Sequence, residues 1–376
     1  MAGIYIHIPF CKQACFYCDF HFSTNMALKD EMVNAICHEI KLQKDYLKKE
    51  RIHSVYFGGG TPSLLNELQL QKILNTLNQY LEVSSSAEIT LEANPDDITP
   101  EQLKMLFQNG INRLSVGVQS FNAEILKWMN RAHNAKHAFR CLEWINESEF
   151  KNFSVDLIYG IPISTHVQWR DDLKTLLSFL PPHISSYCLT IEPATVFGNW
   201  QKKGKLSEAS EEYAAEQFIE LVEALQSSGY EHYEISNFAQ SSFVSQHNSS
   251  YWQQKPYLGL GPSAHSYNGQ SRQFNLTNNT KYIKAIQQDI LPFEKEQLSR
   301  NDQINEYLMT SLRTSDGCNL SFLSEKYGYE LMNEQNKIIS QWLNNDLCIL
   351  ENHRICLTRK GKLLADKLAS DLFLVN

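Results

Sequence analysis

The chain has 376 residues, 43% of them hydrophobic, and its 34 basic and 42 acidic side chains leave a net charge of −8. That length suits one large α/β domain with a smaller appendage, and the acidic balance argues against a general nucleic-acid binder. No apolar run is long enough to span a bilayer and no charged-then-apolar leader opens the sequence, so a cytoplasmic protein without a membrane span is expected. The nine cysteines form no regular framework, which fits reduced thiols. Cys37, Cys141 and Cys188 lie in apolar settings that predict core positions.

Gly3–Phe10 reads as a buried strand. Directly after it, Cys11-Lys12-Gln13-Ala14-Cys15-Phe16-Tyr17-Cys18 puts three thiols within eight residues. One tight loop brings that spacing to a single inorganic centre. Thiolates are the usual ligands of iron–sulfur clusters, whereas a structural zinc site wants four protein ligands. No further cysteine is near, and Phe20 cannot ligate. Three thiolates on a four-iron cluster leave one iron open. Residues 26–50 then read as a long helix, with Met32, Ile36, Ile40 and Leu47 on its apolar side.

A strand at 54–57 runs into Gly58-Gly59-Gly60-Thr61-Pro62-Ser63, followed by a helix over 67–81. Such a loop serves a tight turn as readily as a close approach to a ligand. The alternation continues with strands at 88–92, 113–119, 153–160 and 183–190, and with helices at 100–109, 122–129, 134–146 and 166–180. Six strand–helix repeats in about 200 residues predict an α/β fold, a parallel sheet curled into a partial (β/α)6 barrel. The carboxyl ends of barrel strands converge on one mouth. Glu92, Gln119 and Asp156 stand at such ends, and the cysteine and glycine loops open on the same face.

The C-x3-C-x2-C spacing, with an aromatic before the last cysteine, resembles the radical S-adenosyl-L-methionine (SAM) superfamily. The flanking Ile-His-Ile-Pro-Phe-Cys and Tyr-Cys-Asp-Phe-His-Phe resemble a narrower branch: the oxygen-independent coproporphyrinogen III oxidases and the related HemW-type heme chaperones. The resemblance implies that Cys11, Cys15 and Cys18 carry a [4Fe-4S] cluster whose open iron binds the cofactor's methionine moiety, and that reductive cleavage yields a 5′-deoxyadenosyl radical. It further implies cofactor contacts at Tyr5, Gly59, Gly60, Thr61, Glu92, Gln119, Arg131 and Asp156. These lie in Leu-Glu-Ala-Asn-Pro, Gly-Val-Gln-Ser-Phe, Asn-Arg and Asp-Leu-Ile-Tyr-Gly-Ile-Pro. An arginine at 131 suits a carboxylate.

Beyond Glu192 the pattern changes. A helix is expected over 207–228 and a strand passing near the mouth over 229–238. Gln246-His247-Asn248-Ser249-Ser250-Tyr251-Trp252 then crowds His, Asn, Tyr and Trp together. Its composition fits a buried, hydrogen-bonded histidine as well as a heme ligand. The His-Asn-x-x-Tyr-Trp string looks like the heme-binding signature of HemW-type proteins, which implies heme at His247; His265 is a second, weaker candidate. Helices at 302–314, 320–328 and 334–345, a strand pair at 348–350 and 355–357, and a last helix to about 372 suggest a winged-helix-like C-terminal domain. Its mixed charge shows no basic stripe for nucleic acid, so it reads as a lid or partner surface. The expected divisions are 1–200 for the barrel, 201–298 for an extension with the heme segment, and 299–376 for the C-terminal domain.

Two functions are in view. One is a heme chaperone that binds heme and passes it to an acceptor protein, with a homodimer as family precedent. The other is a coproporphyrinogen III oxidase that decarboxylates two propionates. Phe20, where the oxidases carry a further cysteine, and the absence of their N-terminal extension favour the chaperone.

Overall fold

A computed structural model describes residues 2–375. Six strands run parallel in sequence order: β1 (Ala2–Ile8), β2 (Ile52–Gly59), β3 (Val83–Ala93), β4 (Arg113–Gln119), β5 (Phe153–Tyr159) and β6 (His183–Cys188). Their outward side chains are apolar. Ile4, Ile6, Ile8, Val55, Phe57, Leu91, Leu114, Val116, Val155, Leu157 and Ile184 are all buried against the helical layer. The alternate side chains are polar or small and meet one another across the strands, as Tyr56 meets Glu92 and Ser115 meets Asp156. A strand's side chains alternate between its two faces, so this pattern dictates a greasy outside beneath helices and a polar interior. The result is the partial (β/α)6 barrel expected from the repeats.

Both edges are extended. Beside β1 lie β9 (Tyr257–Leu260), which is parallel to it, then β10 (His265–Tyr267), β11 (Ser271–Asn275) and β12 (Phe293–Gln297), each antiparallel to its neighbour. Beside β6 lies a hairpin of β7 (Glu231–Glu234) and β8 (Asn237–Ala239). The single strand expected over 229–238 is thus two strands, broken at Ile235-Ser236. Asn237–Ala239 pairs with His183–Ser185, the first half of β6, so the hairpin sits at the end away from the mouth. The helix expected over 26–50 stops at Leu42, and the chain then turns through Lys48 and Lys49, whose φ of 50° and 62° no helix accommodates. Cys141 is buried, but Cys188 is exposed because it is the last residue of β6 and emerges at the rim.

The C-terminal part has its own apolar core, running from Ile304 to Leu372. Helices Arg300–Leu312, Leu320–Tyr327 and Asn336–Asn344 pack with a three-stranded antiparallel sheet: the two-residue β13 (Cys318–Asn319), which lies between the first two helices, and the hairpin of β14 (Cys348–Glu351) and β15 (Arg354–Leu357) that follows the third. The last expected helix is two, Arg359–Lys362 and Ala365–Asp371. Among the described residues no helix is long and apolar enough to cross a membrane.

One buried carboxylate fastens the β9–β11 extension to the barrel. Glu39, on helix Lys29–Leu42, has no exposed surface and accepts from Tyr282 Oη at 2.5 Å, Asn275 Nδ2 at 2.7 Å, the Gly261 amide at 2.8 Å and Gln43 Nε2 at 3.3 Å. Glu39→Ala strands those donors in the core, and leaving buried donors unpaired costs about 3 kcal/mol or more in total. Urea unfolding of wild type and variant tests this; a loss below about 1 kcal/mol would show that the donors re-pair.

Candidate cofactor site at the barrel mouth

The first strand delivers the cysteine loop to the mouth, where Cys11, Cys15 and Cys18 are all half-buried. The loop is bolted down on several sides. The Phe16 amide donates to Met129 O at 3.0 Å, Gln13 Nε2 donates to Asn130 Oδ1 at 2.8 Å, and Asn130 Nδ2 donates to Ala14 O at 2.7 Å. Lys12 forms ion pairs with Asp96 and Asp97. Two thiols also receive side-chain donors: Thr61 Oγ1 reaches Cys11 Sγ at 3.4 Å and Arg131 Nη1 reaches Cys15 Sγ at 3.3 Å. Burial pushes the Cys11 thiol up to about 11, with the Thr61 bond working against it, and the Cys18 thiol up to about 12. Such thiols stay protonated until a metal takes the proton's place.

The glycine loop lies against this site so closely that side chains are excluded. A Cβ on Gly60 would stand 2.6 Å from Phe10 O and 2.7 Å from Ile8 O. Gly59 has φ +101°, and a Cβ there would meet the His7 ring at 2.4 Å. The Gly59 amide instead donates to Glu92 Oε2 at 3.2 Å, and Tyr56 Oη donates to Glu92 Oε1 at 2.9 Å. Burial lifts the Glu92 carboxyl to about 7; Asp156 adds to the rise, while the Tyr56 and Gly59 bonds oppose it. Tyr5 stands beside Tyr56, their ring centroids 6.2 Å apart. Asp156 accepts from Ser154 at 3.1 Å and Ser115 at 3.2 Å, and burial raises its carboxyl as well. Gln119 ends β4 in the left-handed region, at φ 68°. Left-handed backbone in a residue with a side chain is the kind of strain that sites retain.

Tyr5, Gly59, Gly60, Thr61, Glu92, Gln119, Arg131 and Asp156 therefore gather around one opening with the three cysteines. Arg131 is committed to the protein: Nη1 also bonds Tyr17 Oη at 3.2 Å, and Nη2 bonds Asn94 Oδ1 at 2.6 Å and Gly117 O at 2.7 Å. Its Nε is buried without a partner. Among the described residues no three His, Cys, Asp or Glu side chains converge on one metal ion. A cubane cluster does not require that, because each thiolate takes a different iron and the sulfurs stand apart. Three thiols on one loop, two with side-chain donors, fit such a cluster. The acceptors Glu92 and Asp156 beside a glycine cradle fit a ligand carrying amino and hydroxyl groups.

His247 is elsewhere. It lies under the barrel on helix Gln246–Trp252 and is 1% exposed. Its Nδ1 is within 2.9 Å of Ser54 Oγ, its Nε2 within 2.8 Å of Tyr251 Oη, and its ring stacks on Tyr56 at 4.9 Å. Burial, and Arg113 to a smaller degree, lower it to about 3, so the ring is neutral. As placed, neither nitrogen is free for iron. His265 is exposed, edge-on to Phe274.

The comparisons with known proteins agree with this geometry. The model of the radical SAM superfamily matches residues 5–176, and that of the HemN C-terminal domain matches residues 298–364. A protein of Bacillus subtilis named heme chaperone HemW is 35% identical over 370 residues, covering 98% of each chain. The chain belongs to the HemW family of the radical SAM superfamily. A Synechocystis relative of the same name is 37% identical and covers 83% of this chain and 78% of its own. The fold matches that of coproporphyrinogen III oxidase (HemN) from Escherichia coli, with a TM-score of 0.85 at 24% identity, over 99% of this chain and 90% of that one.

Tyr56, Asn94 and Asn130 of this HemW-family site were given no role in the sequence reading, although Asn94 and Asn130 stand inside the quoted Leu-Glu-Ala-Asn-Pro and Asn-Arg strings. Period-two alternation from Glu92 reaches Asn94, and from Ser54 reaches Tyr56. Asn130, at φ 56° in a loop, has no periodicity to point to it and is marked only by its place before Arg131.

Glu92 makes stability depend on pH. Its folded pKa, about 7, lies above its ordinary 4.5, so its contribution is complete below about 4.5 and is lost as pH rises through 7. Tyr56, Tyr5 and Asp156 face it. Between pH 5.5 and 8 the ligand-free Glu92→Gln protein is expected to gain a few degrees of Tm relative to wild type, because it lacks the carboxyl whose ionisation costs stability there. Equal slopes for wild type and variant in differential scanning calorimetry would remove Glu92 as the cause.

Proposed function

We propose that this chain is a heme chaperone, which binds heme and delivers it to an acceptor protein while carrying a [4Fe-4S] cluster and SAM. The observation behind this is the curated Bacillus subtilis HemW relative, which aligns over 98% of both chains. Cys11, Cys15 and Cys18 are the residues that hold the cluster. Tyr5, the Gly59-Gly60-Thr61 turn, Glu92, Gln119, Arg131 and Asp156 line the place for SAM. When bound, the cluster supplies the electron for reductive chemistry at SAM. The chain's own part is to orient the cofactor by Glu92 and Asp156, and to anchor the cysteine loop through Asn130 and Arg131. The working location is the cytoplasm and the working unit a homodimer. The barrel at 1–200, the extension at 201–298 and the domain at 299–376 are its divisions.

His247 remains the heme ligand of this reading, with a condition set by the geometry. The Tyr251 bond must break and helix Gln246–Trp252 must swing out before iron is reached. A second reading, coproporphyrinogen III oxidase, draws on the likeness of fold to HemN.

A heme titration followed as Soret difference spectra separates these, using wild type, His247→Ala and Tyr251→Phe. Saturable, stoichiometric binding by wild type is expected, weakened about tenfold or more by His247→Ala. Tyr251→Phe removes a hydrogen bond worth about 1 kcal/mol, so it is expected to tighten binding about fivefold. Saturable binding unchanged in both variants would move the ligand to another residue. Weak, unsaturating binding by all three would end the chaperone reading, and anaerobic decarboxylation of coproporphyrinogen III would then test the second.

A further inference from the structure

The two donors on the cysteine sulfurs are not independent. Asn94 stands just past the end of β3, between them. Its Nδ2 donates to Thr61 Oγ1 at 3.1 Å, and its Oδ1 accepts from Arg131 Nη2 at 2.6 Å. Thr61 Oγ1 in turn donates to Cys11 Sγ at 3.4 Å, and Arg131 Nη1 to Cys15 Sγ at 3.3 Å. The result is one hydrogen-bonded arc, Cys11–Thr61–Asn94–Arg131–Cys15. Its members come from the loops after β1, β2 and β3 and from the loop before helix Ala135–Glu147.

The chemistry of each member fixes the direction of every bond. A threonine hydroxyl has one proton; having given it to sulfur, it must accept from its other neighbour. Arg131 has donors only, so it must face an acceptor. The residue between them therefore needs one donor and one acceptor on a short side chain. Asparagine meets that need; aspartate lacks the donor and alanine lacks both. Cys18 is outside the arc, and the bond that holds its sulfur comes from the Phe20 backbone.

We infer that Asn94 is a positioning residue that aims Thr61 and Arg131 at two of the three cluster thiolates and thereby sets the cluster's reduction potential. The inference rests on the reading that Cys11, Cys15 and Cys18 hold a [4Fe-4S] cluster. Reduction adds negative charge to a cluster, and hydrogen bonds to its sulfurs, above all from a cation, stabilise the reduced form. Holding the guanidinium against Cys15 thus raises the potential, and releasing it lowers the potential. The same arc joins the strand that carries Glu92 to the cysteine loop, so the two halves of the mouth are set by one amide.

The test is a redox titration followed by electron paramagnetic resonance on the anaerobically reconstituted full chain, with iron and sulfide measured per chain. Asn94→Leu removes both bonds at similar volume and adds no charge, so its midpoint is expected at more negative potential than wild type, with iron content kept. An unchanged midpoint at full iron content overturns the inference. If Asn94→Leu fails to fold or to hold iron, Thr61→Val decides instead. It keeps the branched shape and loses the hydroxyl, both its donation to Cys11 and its acceptance from Asn94 Nδ2, while the Asn94–Arg131 bond stays, so a smaller negative shift supports the arc and no shift overturns it. Wild type that binds no iron and sulfide would refute the cluster reading itself, a failure visible before any potential is measured.

Discussion

Everything at the mouth follows from the alternation of side chains along six parallel strands. A strand that must bury one face beneath a helix gives every second residue to the apolar layer. Ile4, Ile6 and Ile8 do this on β1, and Leu114 and Val116 on β4. The remaining residues have nowhere to point except at one another. Closing the sheet puts Tyr56, Glu92, Ser115 and Asp156 into a shared interior, where the cost of burying each polar group is offset by a partner on the next strand. The same pleat that builds the hydrophobic core therefore builds the polar hollow.

That hollow obliges its ionisable groups to be either paired or neutral. Glu88, deep in the interior, accepts from the backbone amides of Gln246 and His247 at 3.1 and 3.0 Å and stands 3.9 Å from Arg113. Glu88 thus tethers the start of helix Gln246–Trp252 to the barrel floor. His247 fills the remaining space as a neutral ring between Ser54 and Tyr251. Tyr56 connects floor and mouth, with its ring on His247 and its hydroxyl on Glu92. His247 and the carboxylate proposed to hold SAM thus lie two contacts apart, with Tyr56 between them.

Much of this was legible in the sequence, for identifiable reasons. The strand–helix repeat is a local signal, and it placed all six strands. The cysteine spacing and the glycine run are also local, and the structure brings both to one opening. What was hidden depends on distant partners. Helix Lys29–Leu42 gives way to turns that reach the left-handed region at Lys48 and Lys49, with no glycine there to announce them. Residues 229–238 fold as a hairpin because the edge of β6 is free to pair with Asn237–Ala239, a fact about the sheet and not about the segment. A buried, hydrogen-bonded histidine was one of the two readings that the composition around His247 allowed, but its partner Ser54, 193 residues away, was hidden for the same reason.

Arg131 shows why residue type alone misleads about role. A lone arginine near a site suggests a free cation waiting for a carboxylate. Here both terminal nitrogens are spent on Cys15, Tyr17, Asn94 and Gly117, and only Nε is without a partner. A guanidinium so held is a rigid cation whose position is fixed by four neighbours rather than by a ligand. Its charge lies against the Cys15 sulfur, Nη1 standing 3.3 Å from Sγ. A ligand carboxylate entering there meets a field already oriented and needs no rearrangement of the arginine, which is the condition for tight binding at low cost. The inferred tuning of the cluster and the proposed SAM site thus share one side chain, which Asn94 holds through Nη2.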